Sequence, residues 1–260
     1  MNARSALFDL YGDHLRLRGG QAPVAALVRL LEPVGVTAPA VRTAVSRMVR
    51  QGWLQPVRLP GGPGYTLTPR ASRWLDEAAE RVYRRGEPLW DGHWHLVVVE
   101  RAPERARRAR VQAALTYLGY RPVGGSAWVS PRAAPGLETL LATERLRAEC
   151  FQASYDGDAQ ALLARAWDLD GLGRAYQRWL RWATELVTAT GPDAPDQTVF
   201  ARRSALVHEW RKFLFSDPGL PTVLLPAQWP GRQAAEFFRT ESARLLPAAS
   251  RFVDGCLECR

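Results

Sequence analysis

The 260-residue sequence predicts an α+β fold in three parts. Apolar residues recur at helical spacing through residues 5–51, and short apolar runs around a Pro-Gly-rich turn follow at 53–67. In residues 93–155 the strand and helix signals come in the order β-α-β-β-α-β. The rest of the chain carries helical stripes rich in tryptophan. We therefore expect three domains, at residues 1–86, 87–157 and 158–260.

Three helices open the chain. Residues 5–18 place apolar side chains on one face and have Ser5 as a candidate N-cap. Residues 23–34 begin with Pro23, a residue favoured in the first turn of a helix. Thr37 can cap the third helix, which we expect to end just before a glycine.

The third helix has two contrasting faces. Its apolar stripe consists of Val41, Val45, Met48 and Val49. The opposite face contains no acid and consists of Arg42, Thr43, Ser46, Arg47 and Arg50. This combination is typical of the recognition helix of a helix-turn-helix, so we predict that the second set contacts DNA. The alternative is a solvated face of a small helical bundle, although such faces usually mix charges of both signs.

A two-stranded wing is predicted after the third helix. Residues 53–59 and 65–67 are short strands joined by the turn PGGPG, and Arg58 lies near its tip. The Arg58 guanidinium can meet a phosphate there or reach the minor groove, so it joins the predicted DNA contacts. A Thr-Pro pair then starts a further helix. Residues 1–86 are thus predicted to form a winged helix-turn-helix.

Positive charge is concentrated in this first domain. Only Lys212 among the 35 basic residues is a lysine, and the formal net charge is +9. Residues 1–86 hold 13 arginines and six acids, whereas residues 87–165 and 166–260 each have a net charge of +1. A basic head on a near-neutral body is typical of nucleic-acid-binding regulators. A high-GC coding bias would give the same preference for arginine, so composition permits this partner without establishing it.

The central domain follows the order of a ferredoxin-like unit. Its predicted elements are a strand at 93–100, a helix at 103–118, a hairpin at 120–129, a helix at 135–141 and a strand at 147–155. One alternative is an enzyme that processes nucleic acid through this domain. Glu100 ends the first strand, where small CRISPR-associated nucleases of this fold carry a metal-binding aspartate. A single glutamate without nearby acids is a weak metal site, so we expect no enzymatic activity.

The sequence favours no metal, cofactor or membrane segment. Cys256 and Cys259 have the spacing of half a zinc site, but the second pair that a strong prediction needs is missing. The chain has no phosphate-binding glycine loop and no run of about 18 apolar residues. Charged residues among the first twenty leave no room for the apolar core of a signal peptide. We expect a cytoplasmic protein without cofactor or metal.

The C-terminal domain contains a basic cluster in the segment RRSALVHEWRKFLF and the turn-rich stretch that follows it. The candidate ligand-binding residues are Arg202, Arg203, His208, Arg211, Lys212 and Trp229. One turn of helix separates His208 from Arg211 and Lys212, so these three can point toward one phosphate-bearing ligand. The alternative is a helix with an ordinary basic flank that only holds the C-terminal helices together.

These segments together resemble the PaaX-type transcriptional repressors, the regulators of phenylacetate catabolism. The resemblance covers nearly the whole chain and rests on SALFDLYGDHLRLRGG, VRTAVSRMVRQGWL, WDGHWHLVVV, GSAWVSP and HEWRKFLFSDPGLPTVLLPAQWPG. It implies a winged helix-turn-helix head, a ferredoxin-like centre and a helical C-terminal domain, acting as a dimer. It also implies binding to operator DNA and release by an aryl-acyl-CoA such as phenylacetyl-CoA, with the effector site in the C-terminal region.

We therefore expect a homodimeric repressor that an acyl-CoA releases from double-stranded operator DNA. Dimerisation is expected through the body, which carries eight of the ten tryptophans and little net charge, whereas two basic heads repel each other. A further possibility is a regulator controlled by protein contacts alone, with the tryptophan-rich C-terminal domain as its interface.

Overall fold

A computed structural model describes residues 1–83 and 90–258 of the chain, which forms two compact units. The first unit consists of Met1–Arg84, Arg178–Lys212 and Arg232–Arg260. The second consists of Arg85–Gln177 and Phe213–Gly231. The segment expected to form a separate C-terminal domain, 158–260, is therefore divided between the two units.

Apolar side chains of the C-terminal segment explain this division. Phe200 and Val253 lie in the hydrophobic core built by the N-terminal helices. Trp167 and Leu224 instead share a core with Trp94 of the central sheet. Because an apolar helix face must be buried against a partner, the C-terminal helices complete the cores of the two segments that precede them.

Three helices open the first unit: α1 (Ala3–Leu10), α2 (Val24–Leu31) and α3 (Ala38–Arg50). Helix α1 starts earlier than expected because Asn2, and not Ser5, is its N-cap. The Asn2 side chain accepts a hydrogen bond from the Ser5 backbone N–H at 2.9 Å. A π-helical turn, Tyr11–Leu15, follows α1. Thr37 occupies the N-cap position of α3 but makes no capping hydrogen bond with its side chain.

A small antiparallel sheet completes the N-terminal segment. Its strands are β1 (Gln21–Pro23), β2 (Leu54–Leu59) and β3 (Gly62–Leu67), in the order β1-β3-β2. Gly64 allows β1 to approach β3 closely, since a Cβ atom there would lie 2.6 Å from the Ala22 carbonyl oxygen. The Thr68 hydroxyl accepts a hydrogen bond from the Ala71 backbone N–H at 3.2 Å and caps α4 (Pro69–Val82), as the Thr-Pro pair predicts.

The predicted apolar stripe of α3 faces the core. Val41, Val45 and Met48 are buried and Val49 is partly buried. They share this core with apolar residues of α1 and the π turn, namely Leu7, Leu10, Tyr11 and Leu15. The burial of this stripe leaves the opposite face of α3 outside the core.

The second unit contains the predicted β-α-β-β-α-β order. Its elements are β4 (Trp94–Val99), α5 (Arg105–Tyr117), β5 (Arg121–Gly124), β6 (Ala127–Ser130), α6 (Leu137–Glu144) and β7 (Ala148–Ala153). The strands are antiparallel in the order β5-β6-β4-β7, which is the strand order of a ferredoxin-like fold. Val97, Val111 and Leu115 form its core between the sheet and the helices.

The remaining helices follow the central sheet in the chain. They are α7 (Ala159–Ala166), α8 (Leu169–Thr188), α9 (Asp196–Trp210), α10 (Phe213–Ser216) and α11 (Pro230–Glu258). Among the described residues, no single helix is long and apolar enough to cross a membrane. The segments Val24–Val34 and Ala38–Arg50 meet that criterion only as a pair bent by 120°, and their buried apolar residues lie in the core of the first unit.

Candidate nucleic-acid interface and ligand groove

The polar face of α3 is exposed along its length. The exposed residues are Arg42, Thr43, Ser46, Arg47 and Arg50. Within the described ranges, none of these three arginines makes an ion pair. Because the opposite stripe is buried, rotation of the helix cannot hide this face. The structure thus presents guanidinium and hydroxyl groups together on one free surface.

A tight turn connects α2 to α3. A 3-10 turn, Glu32–Val34, follows α2, and Gly35 adopts a left-handed φ of 79°. The segments on either side of this turn meet at 120°. This angle lies at the upper end of the 90–120° between the two helices of a helix-turn-helix. The Val36 backbone N–H donates to the Leu31 carbonyl oxygen at 3.1 Å, which fixes the turn that leads into α3.

Arg58 lies on the hairpin formed by β2 and β3. It pairs in register with Pro63, next to the Leu59–Gly62 pair that closes the turn. Its side chain is exposed and has no ion-pair partner in the part of the chain that the structure describes. The hairpin therefore presents one free cation near its tip.

A groove lies between α9 and the turn that precedes α3. Its volume is about 490 Å³. Its lining residues come from the N-terminal segment (Met1, Pro33, Val34) and from α8 and α9 (Trp182, Gln197, Thr198, Ala201, Arg202, Ala205, His208, Glu209). Two of the six predicted ligand-binding residues, Arg202 and His208, thus line one groove. Trp182 supplies an aromatic surface beside them.

His208 and Arg211 are joined through an acid that the sequence patterns did not single out. The His208 Nδ1 lies 2.7 Å from one carboxylate oxygen of Asp9, and the Arg211 Nε lies 2.7 Å from the other. Burial raises the pKa of Asp9, while His208 and Arg211 act to lower it. These contacts attach the end of α9 to α1. Asp9 could have been noticed as an acid between the apolar residues of α1.

Arg203 is buried, with 3% of its surface exposed, and is directed toward the core. Its guanidinium forms an ion pair with Asp13, and its Nε donates to the Ser242 carbonyl oxygen at 2.9 Å. The Tyr83 hydroxyl also donates to Asp13. Burial alone would raise the pKa of Asp13, but Arg203, His14 and Tyr83 together lower it. In this arrangement Arg203 holds the first unit together and is not free to contact a ligand.

The two remaining predicted ligand contacts lie apart from the groove lining. The Lys212 ammonium forms an exposed ion pair with Glu209 at 2.6 Å. Trp229 belongs to the second unit, where its ring packs edge-on against Tyr176 with ring centroids 6.2 Å apart. Neither Lys212 nor Trp229 is among the residues that line the groove.

The cysteines and Glu100 give no metal centre among the residues that the structure describes. Cys256 is buried in the core of the first unit, and Cys259 lies outside the described residues. The Glu100 carboxylate pairs with Arg147, whose Nε lies 3.4 Å from it.

Comparison with known proteins matches three successive parts of the chain to family models. Residues 2–71 match the family model of the PaaX-like protein. Residues 87–162 match the PaaX protein central Cas2-like domain, and residues 167–255 match the PaaX-like protein C-terminal domain. The transcriptional repressor PaaX of Escherichia coli (strain K12) is 30% identical over 97% of this chain and 83% of its own length. The chain belongs to the PaaX family. The predicted resemblance is thereby confirmed, and the Cas2-like domain coincides with the ferredoxin-like sheet.

A solved structure supports the fold of this PaaX-family chain. The uncharacterized protein Rv0674 from Mycobacterium tuberculosis superimposes with a TM-score of 0.63 and covers 98% of both chains. At 23% sequence identity this likeness concerns the fold alone.

Proposed function

We propose that the protein is a DNA-binding transcriptional repressor whose head is a winged helix-turn-helix. The exposed, acid-free face of α3, with arginines that have no ion-pair partner in the described residues, carries the proposal. The 120° turn before α3 and the hairpin after it are the remaining parts of such a head. The relative from E. coli is named a transcriptional repressor, which is consistent with this function.

Each part of the head has a different task. Helix α3 enters the major groove, where Arg47 pairs with the O6 and N7 atoms of a guanine and specifies one base pair. Thr43 and Ser46 supply hydroxyl groups that can reach either base edges or phosphates. Arg58 contacts the backbone or the minor groove from the hairpin and contributes affinity without sequence preference.

We infer a homodimer on a palindromic operator. A two-fold axis places the two recognition helices about 34–36 Å apart, or a multiple of this, along the DNA. The basic heads favour dimerisation through the rest of the chain, because like charges repel. Sedimentation of the full chain at low and high salt measures this state, and a monomer at micromolar concentration would contradict it.

The effector in this proposal is an aryl-acyl-CoA such as phenylacetyl-CoA, which binds the groove under α9. Arg202 offers a cation, Trp182 an aromatic surface, and the Nε2 atom of His208 faces no partner in the described residues. Pro33 and Val34 of the groove belong to the turn directly before α3. For release, the ligand must bind the conformation that does not bind DNA more tightly than the conformation that does. A ligand with equal affinity for the two conformations would not change the equilibrium between them.

A regulator explains the central domain better than an enzyme does. Metal-dependent nuclease chemistry needs clustered carboxylates to hold metal ions. Glu100 is instead paired with Arg147, and the described residues contain no group of three candidate metal ligands. We therefore propose a regulatory role for the protein.

Selection of duplexes from a random library, followed by fluorescence anisotropy, tests DNA reading. The wild type should enrich a palindromic site, and an Arg42→Ala, Arg47→Ala, Arg50→Ala variant should lose that preference. A variant with Arg174, Arg178 and Arg181 changed to Ala removes the same charge from exposed positions of α8 and should retain it. Selection of the same site by the first variant would overturn the recognition-helix assignment.

A thermal-shift screen of CoA thioesters tests the effector groove. A ligand at about a hundred times its dissociation constant adds about 2.7 kcal/mol of stability. The variant Ala205→Trp should fill the groove and lose this shift, whereas Ala243→Trp, at an exposed position of α11, should keep it. An unchanged shift and normal DNA release in Ala205→Trp would place the effector elsewhere.

A further inference from the structure

Four chain segments meet at one edge of the ferredoxin-like domain: the end of β4, the start of α5, the end of α6 and the start of β7. Val99 pairs with Ala148, and the Glu100 backbone N–H donates to the Arg147 carbonyl oxygen at 2.9 Å. The Arg107 guanidinium donates to the Glu144 carbonyl oxygen, which connects α5 to α6. We call residues 100–110 and 144–147 the arginine edge.

Charge is segregated onto this edge. Residues 87–165 contain ten arginines and nine acids. The arginine edge holds seven of these arginines and only three of the acids. The rest of residues 87–165 therefore has three arginines and six acids. A coding bias toward arginine would raise the arginine content everywhere but would not separate the charges, so the separation calls for a physical reason.

Five of the seven arginines of this edge are exposed. Arg101, Arg105 and Arg145 are exposed and form no ion pair within the described residues. The Arg147 side chain is 90% exposed and Arg110 is 61% exposed, although both lie near glutamates. The Arg147–Glu100 pair is exposed on both sides and contributes little stability, so a phosphate can replace Glu100 at small cost.

Two of these charges occupy positions that do not favour folding. The first turn of α5 contains no acid and carries Arg105, close to the positive end of the helix dipole. Arg145 caps α6 with a left-handed φ of 48°, a conformation that favours glycine or asparagine. Since neither placement stabilises the domain, a negatively charged ligand explains these arginines better than folding does.

We propose that the arginine edge is a second DNA-binding surface, which contacts phosphates of the duplex beside the operator. This inference rests on the proposed function, because it presumes a protein held on DNA by its head. The partner is DNA because several exposed guanidinium groups on one edge suit a polymer with one charge per about 1.7 Å of its axis. Contacts of this kind add affinity but no base preference.

The salt dependence of binding to a duplex of about 40 base pairs with arbitrary sequence tests the proposal. We compare the wild type with an Arg101→Gln, Arg105→Gln, Arg145→Asn variant by fluorescence anisotropy at about 50 to 200 mM NaCl. The variant should lower the slope of log K against log[salt] by about three, at roughly one per lost phosphate contact. A control with Arg165, Arg174 and Arg178 changed to Gln loses the same exposed charge and should keep the wild-type slope.

The outcomes separate this inference from the function on which it rests. The second DNA-binding surface would be refuted if the arginine-edge variant kept the wild-type slope while the Arg42→Ala, Arg47→Ala, Arg50→Ala variant lowered it. That result would leave the proposed repressor function intact. A wild-type protein that binds no duplex would overturn both. Arg145→Asn alone should melt no lower than the wild type while lowering the slope by about one, so a folding defect cannot imitate the result.

Discussion

Helices α3 and α9 use arginine in opposite ways. On α3, Arg42 and Arg47 are exposed and have no ion-pair partner in the described part of the chain. On α9, Arg203 is 3% exposed and lies against Asp13. Arginine content therefore does not distinguish a nucleic-acid surface from an internal ion pair. The two kinds of arginine differ in whether another segment of the chain places a buried acid against the guanidinium group, as Asp13 does for Arg203.

Removal of the buried arginine should give the largest effect on stability. In Arg203→Ala, Asp13 stays buried without its cation, which costs about 3–5 kcal/mol of unfolding free energy. Urea unfolding measures this loss. Arg202→Ala, at the adjacent and less buried position, should change stability by less than about 1 kcal/mol. Equal unfolding free energies of Arg203→Ala and Arg202→Ala would contradict a larger stabilising role for Arg203 than for Arg202.

The histidine beside this ion pair should make stability depend on pH. Burial lowers the pKa of His14 from 6.5 to about 4, while Asp13 acts to raise it and Arg203 and Arg18 act to lower it. The unfolded chain therefore binds a proton below pH 6.5 that the folded chain takes up only near pH 4. Stability should fall by about 3 kcal/mol across that window as the pH decreases.

His14→Gln removes this titrating group, so the free energy of unfolding should depend less on pH between pH 6.5 and about pH 4. Asp254, the other acid near His14, is unchanged in this variant. Unfolding free energies of both proteins at several pH values give the comparison. Identical curves for the variant and the wild type would show that His14 titrates normally in the folded protein.

On α3 the same kind of substitution should act on DNA binding and not on folding. Arg47→Ala should weaken operator binding by about 1–3 kcal/mol and relax the preference at one base pair. Its unfolding free energy should stay within about 0.5 kcal/mol of the wild type, because the side chain is exposed. Anisotropy titrations against operators that differ at single positions provide the test, and uniform weakening at every position would argue for a phosphate contact instead.

The hairpin should give the smallest effect. Arg58→Ala should weaken binding to all sequences equally and reduce the salt slope by about one. Titrations of specific and arbitrary duplexes over a salt series measure this change. A loss confined to the specific duplex would mean that Arg58 reads a base.

Local patterns predicted much of the fold. The stripe of Val41, Val45 and Met48 and the PGGPG turn indicated α3 and the hairpin, because periodicity and turn chemistry act over a few residues. The β-α-β-β-α-β succession of the central domain was predicted from the same signals. The N-cap at Asn2 was not predicted, since Ser5 is an equally good capping residue by type.

The contacts of α9 could not be predicted from such patterns. Asp9 lies 199 residues before His208, and Asp13 lies 190 residues before Arg203. Helical periodicity carries no information over such separations. Burial of Arg203 and the groove at Arg202 therefore became visible only in the structure. The exposed polar face of α3 was predictable because its exposure depends on no contact with a residue distant in sequence.

The most direct test of this contrast measures operator affinity and unfolding free energy together for Arg47→Ala and Arg203→Lys. Arg203→Lys keeps the charge but loses the fork of donors that reaches both Asp13 and the Ser242 carbonyl oxygen. We expect Arg47→Ala to lose DNA affinity at wild-type stability, and Arg203→Lys to lose stability while the folded fraction binds DNA normally. Normal DNA binding by a destabilised Arg47→Ala would contradict the assignment of α3 as the surface that reads DNA.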